Sequence, residues 1–291
     1  MNHQKRAPYV FVLPFIISFL LFFAYPIVHA FIMSFQDIVP GETKFVGFEN
    51  YRKIWNSDFF KALYNNTRYT FWTLVLLIPV PMVLAVLLNW KGTLFRNLFK
   101  SVLFIPALTS VVVAGIIFRQ IFGELDGSPM NTLLSWFGLP SQNWLQSAAL
   151  GMLALVVLAV WRWTGVNVVY YLSALQTIPR ELYEAAEIDG AGPVRKFLTI
   201  TVPLLRPVTI YVLTISIYGG YAMFTESYIL WGGGTQSPKG IGLTIVGYLY
   251  TQGFEYFRLG VGAAVGVVLL FIVLCLNLIQ LRLLGLFRRE D

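Results

Sequence analysis

The chain has 291 residues, of which 57% are hydrophobic and only 12% charged, with a mean hydropathy of +0.69. Soluble globular chains carry about 25% charged residues, and water cannot cover this much apolar surface, so a soluble, extracellular or disordered chain is excluded. The formal net charge is +7, but the basic residues sit between apolar runs and not in one stripe, which argues against nucleic acid and fits the Lys/Arg bias of membrane loops.

Six stretches are long and apolar enough to cross a bilayer, which takes about 20 residues per helix. The first spans 9–35 and follows Lys5 and Arg6. It is too long for the core of a signal peptide and reads as an uncleaved anchor. Pro14 falls in its first turn and Pro26 marks a kink. The second spans 71–89 with Pro79 and Pro81 inside, and the third spans 101–118 with Pro106. The fourth, 147–175, is interrupted by Arg162; the fifth, 207–231, carries Glu226; the sixth, 259–281, has no charge. Prolines inside spans are tolerated where neighbouring helices satisfy the freed backbone groups, so these spans form a packed bundle. The expected fold class is an all-α membrane protein.

Twelve Lys/Arg lie on the side of the N-terminus and eight on the other, with Arg162 inside a span. This bias places both termini in the cytoplasm. The outer loops, about 36–67, 119–146 and 232–258, are rich in Gly, Pro, Asn and Trp, as turns and interfacial segments are. Gly232, Gly233 and Gly234 read as a turn; no G-x-x-x-x-G-K-[ST] occurs anywhere, so any ATP is bound by another chain. Asn65-Asn66-Thr67 matches the short glycosylation pattern. The one cysteine, Cys275, and two histidines, His3 and His29, leave no basis for a disulfide or a transition-metal site.

The loop between the fourth and fifth spans is the most informative segment. Thr177 reads as an N-cap and Pro179 as a first-turn residue, with Glu181 and Glu184 at the positive helix end. Gly190 and Gly192 suit the left-handed backbone that ends a helix. Pro193 begins a second short helix through Thr199, stopped by Pro203. Ala185 and Ala186 form a small, smooth patch flanked by acids. Two readings stand: a docking face for another protein, or an amphipathic loop resting on headgroups, which an anionic inner leaflet disfavours.

Glu184-Ala185-Ala186, then Gly190, then Ile200 and Val202-Pro203 resemble the EAA loop of type I ABC importer permeases, with Val202 where that pattern has Leu. Leu13-Pro14-Phe15, Tyr25-Pro26 and the run from Phe45 through Val46, Gly47, Phe48, Glu49 and Asn50 to Tyr51 are similar to the carbohydrate branch, and to the first permease of maltose and glycerol-phosphate importers. The resemblance covers nearly the whole chain. It implies the six-helix type I permease fold: residues 1–64 as an N-terminal span and loop, 65–282 as the transport core with coupling loop 176–204, and 283–291 as a tail. It implies that Glu184, Ala185, Ala186, Asp189 and Gly190 dock on an ATP-binding subunit dimer, which holds ATP and Mg, while this chain holds no cofactor. It implies a second homologous permease, an extracytoplasmic solute-binding protein and a sugar or oligosaccharide passed by alternating access through a bacterial or archaeal cell membrane.

Charges inside a membrane are costly and default to function. Arg162, between Trp161 and Trp163, is a pathway candidate or a snorkelling side chain; Glu226 is a pathway candidate or an interfacial one. Aromatic rings stack on sugars and polar groups bind hydroxyls. Tyr218, Tyr221 and Tyr228 recur at spacings compatible with one helical face. Sugar contacts of the related maltose importer fall on stretches matching 161–163 and 216–223. Only Trp161 clearly carries over; Ser216, Tyr218, Gly220, Tyr221 and Met223 are the remaining candidates there, and Gly219 and Gly220 stand where larger residues would narrow the site. Gly262 and Gly266 form the G-x-x-x-G that lets helices approach closely. The alternative substrates are a glycerol phosphate, a polyol or an acidic saccharide paired with Arg162. An intramembrane enzyme lacks convergent catalytic groups, and a single-chain secondary transporter lacks the internal repeat.

Overall fold

The apolar runs become helices in the computed structural model, which describes residues 3–284 apart from 40, 91 and 234–236, with side chains for residue 9 and from 11 onward. Lys91, Gly234, Arg288 and Arg289, which enter the charge bias and the glycine turn, lie outside the described residues, as does all but the start of the tail 283–291; Lys5 and Arg6 are described in backbone alone. In chain order the elements are α1 (His3–Phe19), a π turn (Leu20–Ala24) and α2 (Tyr25–Ser34); strands β1 (Gln36–Val39) and β2 (Glu42–Phe45); α3 (Glu49–Ile54), α4 (Ser57–Leu77) and α5 (Pro79–Asn89); α6 (Arg96–Leu108), α7 (Val111–Ile121) and α8 (Pro129–Trp136); α9 (Ala148–Leu175) and α10 (Arg180–Ile188); α11 (Pro193–Lys196), a π turn (Phe197–Thr201) and α12 (Val202–Leu204); α13 (Arg206–Ala222) and α14 (Thr225–Leu230); α15 (Ile245–Tyr250), a π turn (Thr251–Glu255) and α16 (Leu259–Leu283).

Among the described residues, four continuous helical stretches are long and apolar enough to cross a membrane: Phe11–Ser34, Ser57–Asn89, Ala148–Leu175 and Leu259–Leu283. The expected third and fifth spans are not single rods. Helices α6 and α7 meet at 97°, and Pro193–Leu204 meets α13 at 66°. Pro106 near the end of α6 and the extended Thr109 and Ser110 account for the first bend. The fifth span also stops early: Met223 is extended and Phe224 leaves helical geometry, so α14 is a separate short helix. Within the expected outer loop 232–258, residues 245–255 are helical, and 36–45 holds a small antiparallel hairpin.

Prolines explain two of the three π turns. A proline has no N–H and crowds the carbonyl four residues back. In the π turn at Leu20–Ala24 the Tyr25 N–H bonds Leu20 O, and Pro26 follows. At Phe197–Thr201 the Val202 N–H bonds Phe197 O, and Pro203 follows. In both, the widened turn lets the helix run on past the proline ring. Pro203 therefore does not stop the second short helix of this loop; the bend comes after Leu204.

The chain forms two compact units. One comprises residues up to Phe60 with Ile245–Ile272. Its polar clamp is Asn50, buried, whose Nδ2 donates to Ser34 O at 3.0 Å and Gln36 O at 2.8 Å. Gly47 takes the left-handed backbone (φ 58°) that turns the hairpin toward α3. Gly260 lies so close to Gln36 that a Cβ would meet its carbonyl oxygen at 1.8 Å. Gly262 faces Gly253, and Gly266 faces Leu249, so the G-x-x-x-G stripe seats α16 against residues 245–255.

The other unit comprises Lys61–Thr244 with Val273 onward. Helix α9 is its axis. One end packs Leu155 and Leu158 with Phe118, Phe122 and Trp144; the other packs Val168, Tyr171 and Leu175 with Met82, Leu205 and Val212. At Gly165 the backbone of α6 comes so near that a Cβ would sit 1.9 Å from Leu103 O. Asn65 is buried and donates to Gly240 O and Leu243 O, both at 2.9 Å, which removes it as a glycan acceptor.

Candidate functional site

The loop 176–204 is a folded two-helix unit. Pro179 occupies the cap position of α10, with φ −58° and ψ 134°. Thr177 is not the cap: its hydroxyl donates back to Ala174 O at 2.8 Å. At the other end the Ala191 N–H bonds Ala186 O and the Gly190 N–H bonds Glu187 O, a Schellman cap that needs the left-handed Gly190 (φ 77°). Gly192 is extended and caps α11 instead. Tyr183 reaches the buried Thr201 hydroxyl at 2.9 Å, tying α10 to the π turn. Lys196 donates to Glu187 Oε1 at 2.5 Å and holds that carboxyl below the usual carboxylate range.

Glu184, Ala185, Asp189 and Gly190 are exposed and Ala186 is half-buried. Beside them stand apolar side chains with nothing over them: Ile188 is 88% exposed and Val194 69%. Isolated exposed aliphatics are ordinary; these two stand on the same capped loop as Ala185 and Ala186.

A cavity of about 340 Å³ opens between α4, α9 and α13, with Glu226 of α14 at its wall. Six of the nine pathway candidates line it: Trp163, Ser216, Tyr218, Gly220, Met223 and Glu226. The other three do not. Trp161 packs its ring on Phe118, centroids 5.3 Å apart. Arg162 leans on the Trp163 ring at 5.6 Å, with Nε and Nη1 buried and without a partner. Tyr221 is buried and hydrogen-bonded to Thr67 Oγ1 at 2.9 Å. The three tyrosines do not share a face: Tyr218 is open to the cavity, Tyr221 points into the packing, and Tyr228 lies on α14 beyond the break.

Sequence reading missed Tyr69, Thr73, Asn167 and Tyr170, which also line the cavity. Each lies inside an apolar helix where hydropathy carries no rotational information. Gly219 is open, but Gly220 is not spare room: a Cβ there would meet Thr70 Oγ1 at 2.2 Å, so this glycine lets α13 approach α4. Among the described residues no three His, Cys, Asp or Glu side chains come together to hold a metal ion.

Residues 77–289 match the family described as binding-protein-dependent transport system inner membrane component. The chain belongs to this family. It is a membrane-embedded permease, a transport subunit and not an enzyme, of a kind that works with a solute-binding protein. The permease is 57% identical over 287 residues to the arabinooligosaccharides transport system permease protein AraP of Bacillus subtilis (strain 168), covering 99% of this chain and 91% of that one. It is 52% identical over 290 residues to AraP of Halalkalibacterium halodurans, covering 100% and 91%. Its fold matches a chain from the crystal structure of a bacterial ABC transporter involved in the import of the acidic polysaccharide alginate, with a TM-score of 0.86, 22% identity, and 99% and 97% of the two chains covered. The permease thus has the ABC importer permease fold.

Proposed function

We propose that this permease forms half of the transmembrane path of an ATP-driven oligosaccharide importer, with arabinose-containing oligosaccharides as its substrates. The identity of 57% and 52% to two arabinooligosaccharide permeases, over almost the whole chain, carries the reading. The cavity supports it: Trp163, Tyr170 and Tyr218 offer ring faces, and Ser216, Asn167 and Glu226 offer polar groups, the mixture that sugar binding needs.

In this reading the six spans count each bent pair as one, with both termini in the cytoplasm. A second homologous permease completes the pore. An ATP-binding subunit dimer holds ATP and Mg and grips Glu184, Ala185, Ala186, Asp189 and Gly190. Its closure moves α10 and α11 as one body, because Tyr183 and the Glu187–Lys196 pair join them. The permeases open outward, an extracytoplasmic binding protein releases its sugar into the cavity, and hydrolysis resets the inward state. The same architecture importing an acidic saccharide is the second reading, supported by the alginate importer's fold alone.

The test is uptake. Cells lacking this chain are expected to lose ATP-dependent uptake of labelled arabinotriose and to regain it with the chain restored. Undiminished uptake in its absence would overturn the proposal.

A further inference from the structure

We infer that Glu226 is the charge-selecting residue of the transport cavity, binding the hydroxyls of neutral saccharides and excluding saccharides that carry carboxylates. The inference rests on the oligosaccharide import proposed above.

Among the described residues that line the cavity, Glu226 is the one charged side chain. The cation Arg162 follows Trp161 on α9, but its guanidinium lies against the Trp163 ring, 5.6 Å from the centroid, and does not line the cavity. No ion pair joins the two. Among the described residues no salt bridge neutralises Glu226, which presents its acceptor to the ligand.

The neutral polar groups of the wall do not set a charge preference. Thr73 donates its hydroxyl to Tyr69 O and Thr70 O, both at 2.9 Å, and one amide N–H of Asn167 goes to Leu77 O at 3.1 Å. The hydroxyls of Ser216, Tyr170 and Tyr218 both donate and accept, and so pair with a neutral or an acidic saccharide alike. The preference therefore falls on Glu226, which accepts from a sugar O–H and repels the like charge of a carboxylate or phosphate. Fold does not set this property: a transporter with the same fold imports an acidic polysaccharide. The side chains on the shared frame must set it.

The test is equilibrium dialysis of labelled arabinotriose and trigalacturonate against the detergent-solubilised importer complex, without the solute-binding protein, which makes its own selection. The wild type is expected to favour arabinotriose. Glu226→Gln is expected to weaken arabinotriose about tenfold or more, the worth of a hydrogen bond to a charged group, and to shrink the preference. Glu226→Lys is expected to reverse it. If Lys disturbs assembly, the near-isosteric Gln variant still decides. Variants that retain the ATP-binding subunit at wild-type yield and keep the wild-type preference would overturn this inference while leaving oligosaccharide import intact. A wild-type importer that does not take up arabinotriose would overturn both.

Discussion

The side-chain amide of Asn167 donates to the carbonyl of Leu77 at 3.1 Å, across 90 residues of sequence. That carbonyl faces Pro81 four residues on, which has no N–H to offer. Asn167 supplies the missing donor inside an apolar bundle, and it also lines the cavity. One buried side chain thus heals a proline break and shapes the cavity.

Replacing Asn167 by Leu leaves the Leu77 carbonyl buried and unpaired. The expected loss is about 1–3 kcal/mol, read as a lower unfolding temperature of the purified complex. Pro81→Ala restores a backbone donor. The double variant Asn167→Leu with Pro81→Ala is expected to recover most of the loss, so the two changes are non-additive.

Gly165 lets α6 and α9 touch backbone to backbone. The Gly165→Ala methyl would lie 1.9 Å from Leu103 O, and a carbonyl in a helix cannot move aside alone. Overpacking of this kind costs about 1–3 kcal/mol or more. The complex is expected to fall in yield and thermal stability, whereas Gly219→Ala, whose Cβ meets open space, is expected to match wild type in both.

The Glu187–Lys196 pair gives the coupling loop an acid-sensitive joint. The carboxyl is held below its ordinary value of 4.5 in the folded loop. Its contribution is present in full above that value and is lost as pH falls through the lower folded one. Hydrogen-exchange protection of residues 180–204 is expected to hold from pH 7 to about 4.5 and to fall below it. Lys196→Met is expected to lower protection at pH 7 and to remove the acid step.

Ile188 and Val194 are apolar and uncovered on the loop. A charge at a buried interface core is strongly disfavoured. Ile188→Asp is expected to reduce recovery of the ATP-binding subunit about tenfold or more, with the permease itself present at normal level; undiminished recovery would place the docking contact elsewhere.

How much of this was legible in the sequence follows from what hydropathy encodes. It fixes which segments are apolar, so the first, fourth and sixth spans came out within a few residues, whereas the second, expected over 71–89, begins at Ser57 because its first turns carry the polar Asn65, Asn66, Thr67 and Arg68. It is blind to bends, because a 97° turn at Thr109 and Ser110 replaces two residues in an otherwise unbroken apolar run. The coupling loop was legible because caps and turns are local chemistry: Gly190 behaves as its type requires, though Thr177 and Gly192 do not. The cavity was half legible. Trp163, Ser216, Tyr218 and Glu226 stand out as polar or aromatic groups in apolar spans, but Asn167 and Tyr69 become cavity residues only through helix rotation. Arg162, the most conspicuous charge, turned out to back a cavity ring and not to line the wall.

The central claim is that this chain docks an ATP-binding subunit through the loop at 176–204 and transports in company with a second permease. The most direct measurement is co-purification from native membranes with a tag on this chain, read by mass spectrometry, for the wild type and for Glu184→Arg and Gly190→Pro. The account requires a second permease and an ATP-binding subunit in the wild-type sample, with the latter lost in both variants. Recovery of this chain alone, still moving solute in liposomes without ATP, would contradict it.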